Sequence, residues 1–345
     1  MTFVKSNIIP LLSMLKEVLC DLQVNESLKL FQIVILIVTI SGDLHALTIQ
    51  GILKKRGYAD CHILEFDRIS NGHKIYWHCN ENDDSGYIKL DDGITIDIKS
   101  IDALWWRRVN ADQQLDNNIA DEHQIKLINN DCRGSVLGVL EASFLGKWLS
   151  SPGATARASN KIYQLSIAKR CGFRIPETLI SQSQQEVYEF ISQLNKQVIV
   201  KPVVGTAGPL MFTEFLNDPF RFDSRSYEVC PAVYQEYIPG TDHIRLNCFG
   251  NKSFAAIIET NDLDWRPNLN VPVKSWAVPD SLHNSIRNVL DNLGLEMGII
   301  DLKITPEGEY VWLEVNPQGQ FLFLEPLTNV PLSSYFADYL LDSIR

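Results

Sequence analysis

The sequence predicts an α/β protein, α+β in part, and three observations carry that prediction. The run Ile33 to Thr39 is the unbroken apolar pattern of a buried strand; it passes through Ser41-Gly42-Asp43 into a helical stretch to Lys55, and a further strand follows at Cys61 to Phe66. Short alternating runs at His73 to His78, Tyr87 to Leu90 and Ile94 to Ile98 read as strands, with Asp92-Gly93 as a strong hairpin turn. Toward the C-terminus two apolar runs, Gly298 to Ile300 and Tyr310 to Val315, flank the turn segment Pro306-Glu307-Gly308.

Taken in order, an amphipathic segment reaches to about Leu30 and is expected to form an N-terminal helical extension over 1–30. The opening strand, helix and strand, with Gly57 closing the helix, begin a first domain over 31–120; it is βαβ-like but lacks the glycine-rich fingerprint of dinucleotide-binding folds. Ile101 to Val109 contains Trp105-Trp106-Arg107-Arg108. Because adjacent strand residues face opposite sides, one Trp is expected in the core and one Arg in solvent. A peptide or phosphate contact by Arg107 or Arg108 is the functional alternative, given the fork geometry of arginine. Polar Asn110 to Asn118 reads as a linker, and a mostly helical stretch from Asp121 to Leu149 leads to Ser151-Pro152-Gly153, giving a helical linker over 121–155.

A central unit is expected over 156–234. Lys161 opens a helix with apolar positions Ile162, Leu165 and Ala168 that ends near Gly172, and Pro176-Glu177-Thr178 starts the next strand. Lys201 ends the β-branched strand Val198-Ile199-Val200 and precedes Pro202 and the loop Val204 to Pro209. A strand over Ala232 to Ile238 runs into Pro239-Gly240 and opens the last unit, 235–345.

Composition bounds the function. With 345 residues, 45% of them hydrophobic, the chain can bury a large core and form two or three domains. Seven cysteines, an odd number without a C-x-x-C pair, argue against a disulfide framework or a structural zinc site and suit a reducing cytoplasm. The longest apolar run, Ile33 to Ile40, is too short to span a bilayer, so no membrane association is expected. A net charge of -11 argues against a general nucleic-acid binder.

The chemistry concentrates at Met297 to Phe321. Asp301 lies in one apolar run and Glu314 in the next, with Asn316 two residues on and therefore on the same strand face as Glu314. Acidic residues beside a hairpin commonly face water. Here, however, Ile299, Ile300, Leu302, Trp312, Leu313 and Val315 predict burial, and buried carboxylates need partners or a metal. Two carboxylates and an amide, with no His or Cys, are hard oxygen donors suited to Mg2+. No Ser/His/Asp or Cys/His arrangement stands out, and His45 and His243 read as structural or surface residues.

These pieces, in this order from Ser159 to Phe323, resemble the ATP-grasp superfamily, and the resemblance implies an ATP-grasp fold behind an N-terminal pre-ATP-grasp domain. It also implies ATP and Mg2+ as cofactors. Lys161 and Lys201 match the phosphate-binding lysines, and Gly205 to Gly208 the loop that closes over them. Gln235-Glu236-Tyr237-Ile238 matches the adenine hinge and Asp242 the ribose ligand. Asp301, Glu314 and Asn316 match the metal ligands; Arg245 and Arg266 match arginines that neutralise the phosphates and the acyl intermediate. Two departures stand out. The usual Asp-x-Arg is lengthened to Asp242-His243-Ile244-Arg245, leaving the register of Asp242 or Arg245 open by one residue, and the phosphate loop is sparse in glycine.

Within the superfamily, Ile37 to His45, Trp105 to Arg108, Asn261 to Arg266 and Glu314 to Phe321 look most like the ligases that cyclise ribosomal peptides of the microviridin or graspetide kind. That likeness implies a precursor peptide with a leader segment as substrate, a homodimer, and lactone or lactam rings closed from Asp/Glu carboxylates onto Thr/Ser or Lys side chains. The alternatives are a ligase acting on free amino acids or a protein end, as glutathione synthetase-like and glutamate-adding relatives do, and a non-catalytic nucleotide-binding regulator.

Overall fold

A computed structural model describes residues 33–205, 211–220, 222–268 and 270–344. The expected 1–30 extension and residues 206–208 of the phosphate loop lie outside the described residues. Strand β1 (Ile35–Thr39) leads into helix α1 (Leu44–Lys55), then β2 (Cys61–Glu65), β3 (Lys74–Cys79), β4 (Asp84–Lys89), β5 (Thr95–Asp97) and β6 (Ala103–Trp106). Asp43 caps α1 by accepting from the His45 amide at 3.1 Å, and Gly57 follows the helix at φ 95°, a left-handed turn that glycine adopts without strain. Helix α2 (Glu122–Ser143) follows, then β7 (Lys147–Leu149).

The stretch expected to be helical through Leu149 therefore ends its helix at Ser143 and returns as a strand. β7 pairs in parallel with β6, completing a four-stranded parallel sheet ordered β2-β1-β6-β7, and a three-residue strand is too short for periodicity to reveal. This sheet is covered on both faces. Trp105 points into the core shared with α1, and Trp106 into the opposite core, where the antiparallel β3-β4-β5 sheet and α2 pack. Both tryptophans are thus buried, because a two-sided sheet has no solvent face to give one of them. Arg107 is fully buried as well, and Arg108 is the exposed arginine.

Helices α3 (Pro152–Ala158) and α4 (Lys161–Arg170) lead to β8 (Thr178–Ser181), α5 (Gln184–Leu194), β9 (Val198–Pro202), β10 (Glu214–Phe215), α6 (Ser224–Glu228) and β11 (Ala232–Glu236). Strands β10-β9-β11-β8 form an antiparallel sheet whose core is shared with α5 and α6. Then come β12 (Asp242–Phe249), β13 (Lys252–Glu259), β14 (Val273–Trp276), α7 (Asp280–Leu293), β15 (Met297–Ile304), β16 (Tyr310–Asn316), α8 (Glu325–Thr328) and α9 (Leu332–Asp342). These strands make a five-stranded antiparallel sheet, β14-β13-β12-β15-β16. One face packs on α3, α4 and α7. The other meets α1, α9 and the parallel sheet in a continuous core that includes Trp105, Phe249, Ile299, Phe321 and Phe336.

Among the described residues no helix is long and apolar enough to cross a membrane.

Candidate active site

Strand pairing builds the site. On β15 and β16, Asp301 lies directly opposite Glu314, and Ile299 opposite Asn316. The pairing then shifts, so that Leu302 faces Trp312 and Leu313 is the extra residue of a β-bulge. The bulge separates two side chains that strict alternation would place together. Trp312 joins the apolar core under α4, whereas Glu314 and Asn316 turn to the opposite face beside Asp301.

On the neighbouring strand Arg245 pairs with Asp301, and its Nη1 donates to Asp301 Oδ2 at 2.7 Å while Nη2 donates to the Gln320 carbonyl at 3.2 Å. Arg245 thus faces the carboxylates. Asp242 stands at the start of β12, opposite Glu259 and accepting from Thr241 Oγ1 at 3.2 Å.

The lysines come from two different elements. Lys161 occupies the first turn of α4, capped by Asn160, and its Nζ donates to the Pro202 carbonyl at 3.0 Å across the cleft between the two antiparallel sheets. Lys201 lies on β9. Burial pulls its ammonium below the usual lysine range; Glu314 and Asp301 oppose that pull, and the positive charges of Lys161 and Arg266 add to it. Burial pushes the Asp301 carboxyl up, Arg245 opposes this, and Glu314 reinforces it. Arg266 is paired with Asp264, whose Oδ1 accepts from Nε at 2.8 Å, and it also feels Glu314 and Asp301. Lys161, Lys201, Arg245, Arg266, Asp301 and Glu314 therefore share one electrostatic neighbourhood.

Asp301, Glu314 and Asn316 fit a magnesium ion by donor chemistry, since all three offer hard oxygens on one face and two carry opposed carboxylates whose repulsion a cation would relieve. Asn316 is exposed, and its Oδ1 accepts from the Gln318 amide at 3.0 Å. Elsewhere among the described residues Glu65, His73 and Asp91 also converge, but Arg68 already bridges Glu65 and Asp91 at 2.7 Å each, which makes that cluster an ion-pair network.

In the Gln235 to Ile238 segment the side chains are held by the protein itself. Gln235 Nε2 donates to Thr178 Oγ1 at 2.8 Å, and Glu236 accepts from Lys196 Nζ at 2.6 Å and Arg174 Nη2 at 3.0 Å. Any nucleotide contact there falls to the backbone. One residue of the cleft escaped the sequence reading. Lys303, two positions beyond Asp301 on the same face, is 4% exposed, and its Nζ lies 5.3 Å from the Tyr237 ring centroid. A buried lysine in a strand alternation was the available signal. Burial lowers its amine to about 8.

Comparison with known proteins places this geometry. Residues 34–152 match the family described as the MvdD pre-ATP grasp domain. The fold is similar to that of macrocyclase MdnC from Microcystis aeruginosa MRC, solved with precursor peptide MdnA, at a TM-score of 0.80 and 25% identity over 90% of this chain and 100% of that one. It is also similar to a Chryseobacterium gregarium RiPP-associated ATP-grasp ligase solved with ADP, a leader and a core peptide, at a TM-score of 0.79 and 24% identity, covering 90% of this chain and 97% of that one. In sequence, the chain is 25% identical over 198 residues to the alpha-aminoadipate–LysW ligase LysX of Sulfurisphaera tokodaii, spanning 55% of this chain and 70% of that protein. The chain thus has the ATP-grasp fold with a first domain that matches the pre-ATP-grasp model, the architecture that these ATP-dependent ligases share. Within that class its likeness is to the peptide macrocyclases.

Proposed function

We propose that the protein activates Asp or Glu side-chain carboxylates of a ribosomal precursor peptide with ATP and closes them onto Thr/Ser or Lys side chains as ester or amide rings. The observation that carries this reading is the convergence of Lys201, from the central sheet, with Asp301 and Glu314, from the five-stranded sheet, behind a first domain of the MvdD type. Lys161 and Lys201 hold the phosphates, and the Gln235 to Ile238 backbone reads adenine while Asp242 holds ribose. Bound through Asp301, Glu314 and Asn316, Mg2+ would supply charge neutralisation for the phosphates. A substrate carboxylate attacks the γ-phosphorus, ADP leaves, and an acyl phosphate forms; phosphoryl transfer of this kind depends mainly on positioning and charge. A hydroxyl or amine of the same peptide then attacks the acyl carbon, inorganic phosphate leaves, and Arg245 and Arg266 stabilise the oxyanion between those events. No nucleophilic protein side chain is required. We further propose that the protein works as a homodimer.

The likeness to LysX favours a second reading, the same acyl-phosphate chemistry on an amino acid or a protein end. The two separate in one assay. Because a leader tethers the reacting segment and raises its effective concentration, ATP hydrolysis should rise strongly with a matching precursor and little with free amino acids. The peptide should lose one water per ring by mass spectrometry. Stimulation by a free amino acid with a linear product, and no dehydrated precursor, would establish the second reading.

A further inference from the structure

Two sequence segments remain outside that chemistry, Ser41 to His45 and Trp105 to Arg108, and the structure brings both against the loop 317–322 that directly follows Asn316. Asp43 Oδ2 accepts from Arg107 Nε at 2.5 Å and from Thr39 Oγ1 at 2.6 Å, and its Oδ1 accepts from the His45 amide at 3.1 Å. Arg107, fully buried, extends Nη1 to the Gly319 carbonyl at 3.5 Å. His45 Nε2 accepts from the backbone amides of Phe321 at 2.9 Å and Leu322 at 3.2 Å, and its ring stands edge-on to Phe321 with centroids 4.7 Å apart. From the opposite side Arg245 holds both the Gln320 carbonyl and the Asp301 carboxylate.

The loop is thus gripped at four consecutive residues, Gly319 to Leu322, by groups from the first domain and from β12. Gly319 has no room for a side chain: a Cβ there would lie 2.6 Å from Ile299 Cβ, so the loop backbone sits directly on β15. Among the described residues Arg107 Nη2 is buried with no hydrogen-bond partner.

We infer that His45 and Arg107 are positioning residues that lock loop 317–322 to the first domain and through it fix Asn316, Glu314 and Arg245 in the geometry the magnesium nucleotide requires. The inference rests on the proposed nucleotide chemistry of that site. Both side chains are buried, at 7% and 0% exposure. Their action passes through a neutral imidazole with two backbone donors and a guanidinium oriented by Asp43, an arrangement in which losing one acceptor strands two backbone amides, that of Phe321 fully buried.

The test compares wild type with His45→Phe, which keeps an aromatic ring but removes the acceptor, with His45→Gln, which restores an acceptor, and with Arg107→Lys. For each, ADP affinity is measured by calorimetry with and without Mg2+, kcat and KM for ATP are measured with precursor, and folding is followed by thermal melting. His45→Phe and Arg107→Lys are expected to lower kcat about 10- to 100-fold, as outer-shell changes at metal sites do. KM for ATP should rise no further than the lost Mg2+ contribution to nucleotide affinity, because the hinge and lysines are untouched. The Mg2+-dependent gain in ADP affinity should vanish in these variants and return in His45→Gln. A folded His45→Phe with wild-type kcat and Mg2+ dependence overturns the inference. If His45→Phe does not fold, Thr39→Val, which removes one bond to Asp43, should show a smaller drop in kcat at unchanged KM, and no drop overturns it equally. Wild-type protein whose ADP affinity ignores Mg2+ overturns the nucleotide reading itself.

Discussion

Lys201 keeps its ammonium in a place where burial works against the charge, and Glu314 and Asp301 are what oppose that loss. Phosphate oxygens would complete its partners, so its charge matters more as the transferring phosphoryl group develops charge than in binding the ground state. Lys201→Ala should therefore lower kcat by on the order of 100-fold or more. Tyr237 is different: its ring packs on Phe215 and beneath Lys303, leaving only its backbone for the base. Tyr237→Ala should raise KM for ATP only a few-fold. Steady-state kinetics on the pair checks both, and a larger kcat loss in Tyr237→Ala would refute this placement of the phosphates. Glu314→Ala removes one of two facing carboxylates while leaving Arg245 paired to Asp301. Magnesium-dependent turnover should disappear with the melting transition retained.

At the level of elements, the bulge at Leu313 does what neither strand could do alone. It lets Trp312 fill the core under α4, against Phe173 at a centroid distance of 5.3 Å, while Glu314 faces the cleft two positions later. Without the bulge, strict alternation would put Trp312 and Glu314, two residues apart, on one face, forcing either an indole to the cleft or a carboxylate into an apolar core. Deleting Leu313 makes Trp312 and Glu314 neighbours that alternate onto opposite faces without a bulge, so that variant should melt close to wild type, as differential scanning calorimetry would record. A large fall in melting temperature would refute the face switch as the role of Leu313. The parallel sheet makes a similar point. Trp105 and Trp106 serve two cores, the first against Phe336 at 4.4 Å between centroids and the second against Trp148 at 6.2 Å.

Across the whole molecule, one continuous core joins the first domain to the sheet that carries Asp301, and the buried His45 crosses that junction. Burial, with Arg107 adding and Asp43 opposing, holds its imidazole down to about 3 in the folded protein. In the unfolded chain a histidine titrates near about 6.5. Above that pH the ring is neutral in both states and stability is fully present. As pH falls below it, the unfolded chain takes up a proton that the folded protein refuses, so stability drops by about 1.4 kcal/mol per pH unit until the folded value is reached. His243, held by burial at about 4, adds a contribution of the same sign. Denaturant melts from pH 7 to 4 should show stability falling with acid, with a shallower fall in His45→Gln. Equal slopes in the two proteins would exclude His45 as a source.

Much of this was legible in the chain because it is local. Strand runs, the Asp92-Gly93 turn, the cap at Asp43 and the same-face spacing of Glu314 and Asn316 follow from backbone periodicity and turn chemistry, which neighbours in sequence determine. Tertiary structure decided what depends on partners far along the chain. It made β7 a strand by offering it the edge of β6, buried both tryptophans by covering both sheet faces, and placed Lys303 over Tyr237. It also turned His45 and Arg107 from a helix start and a strand end into the grip on a loop more than two hundred residues away, with sequence separations of 276 and 212. A hydrogen-bond donor or acceptor in the sequence states only its capacity; which partner uses it is fixed when the sheets pack.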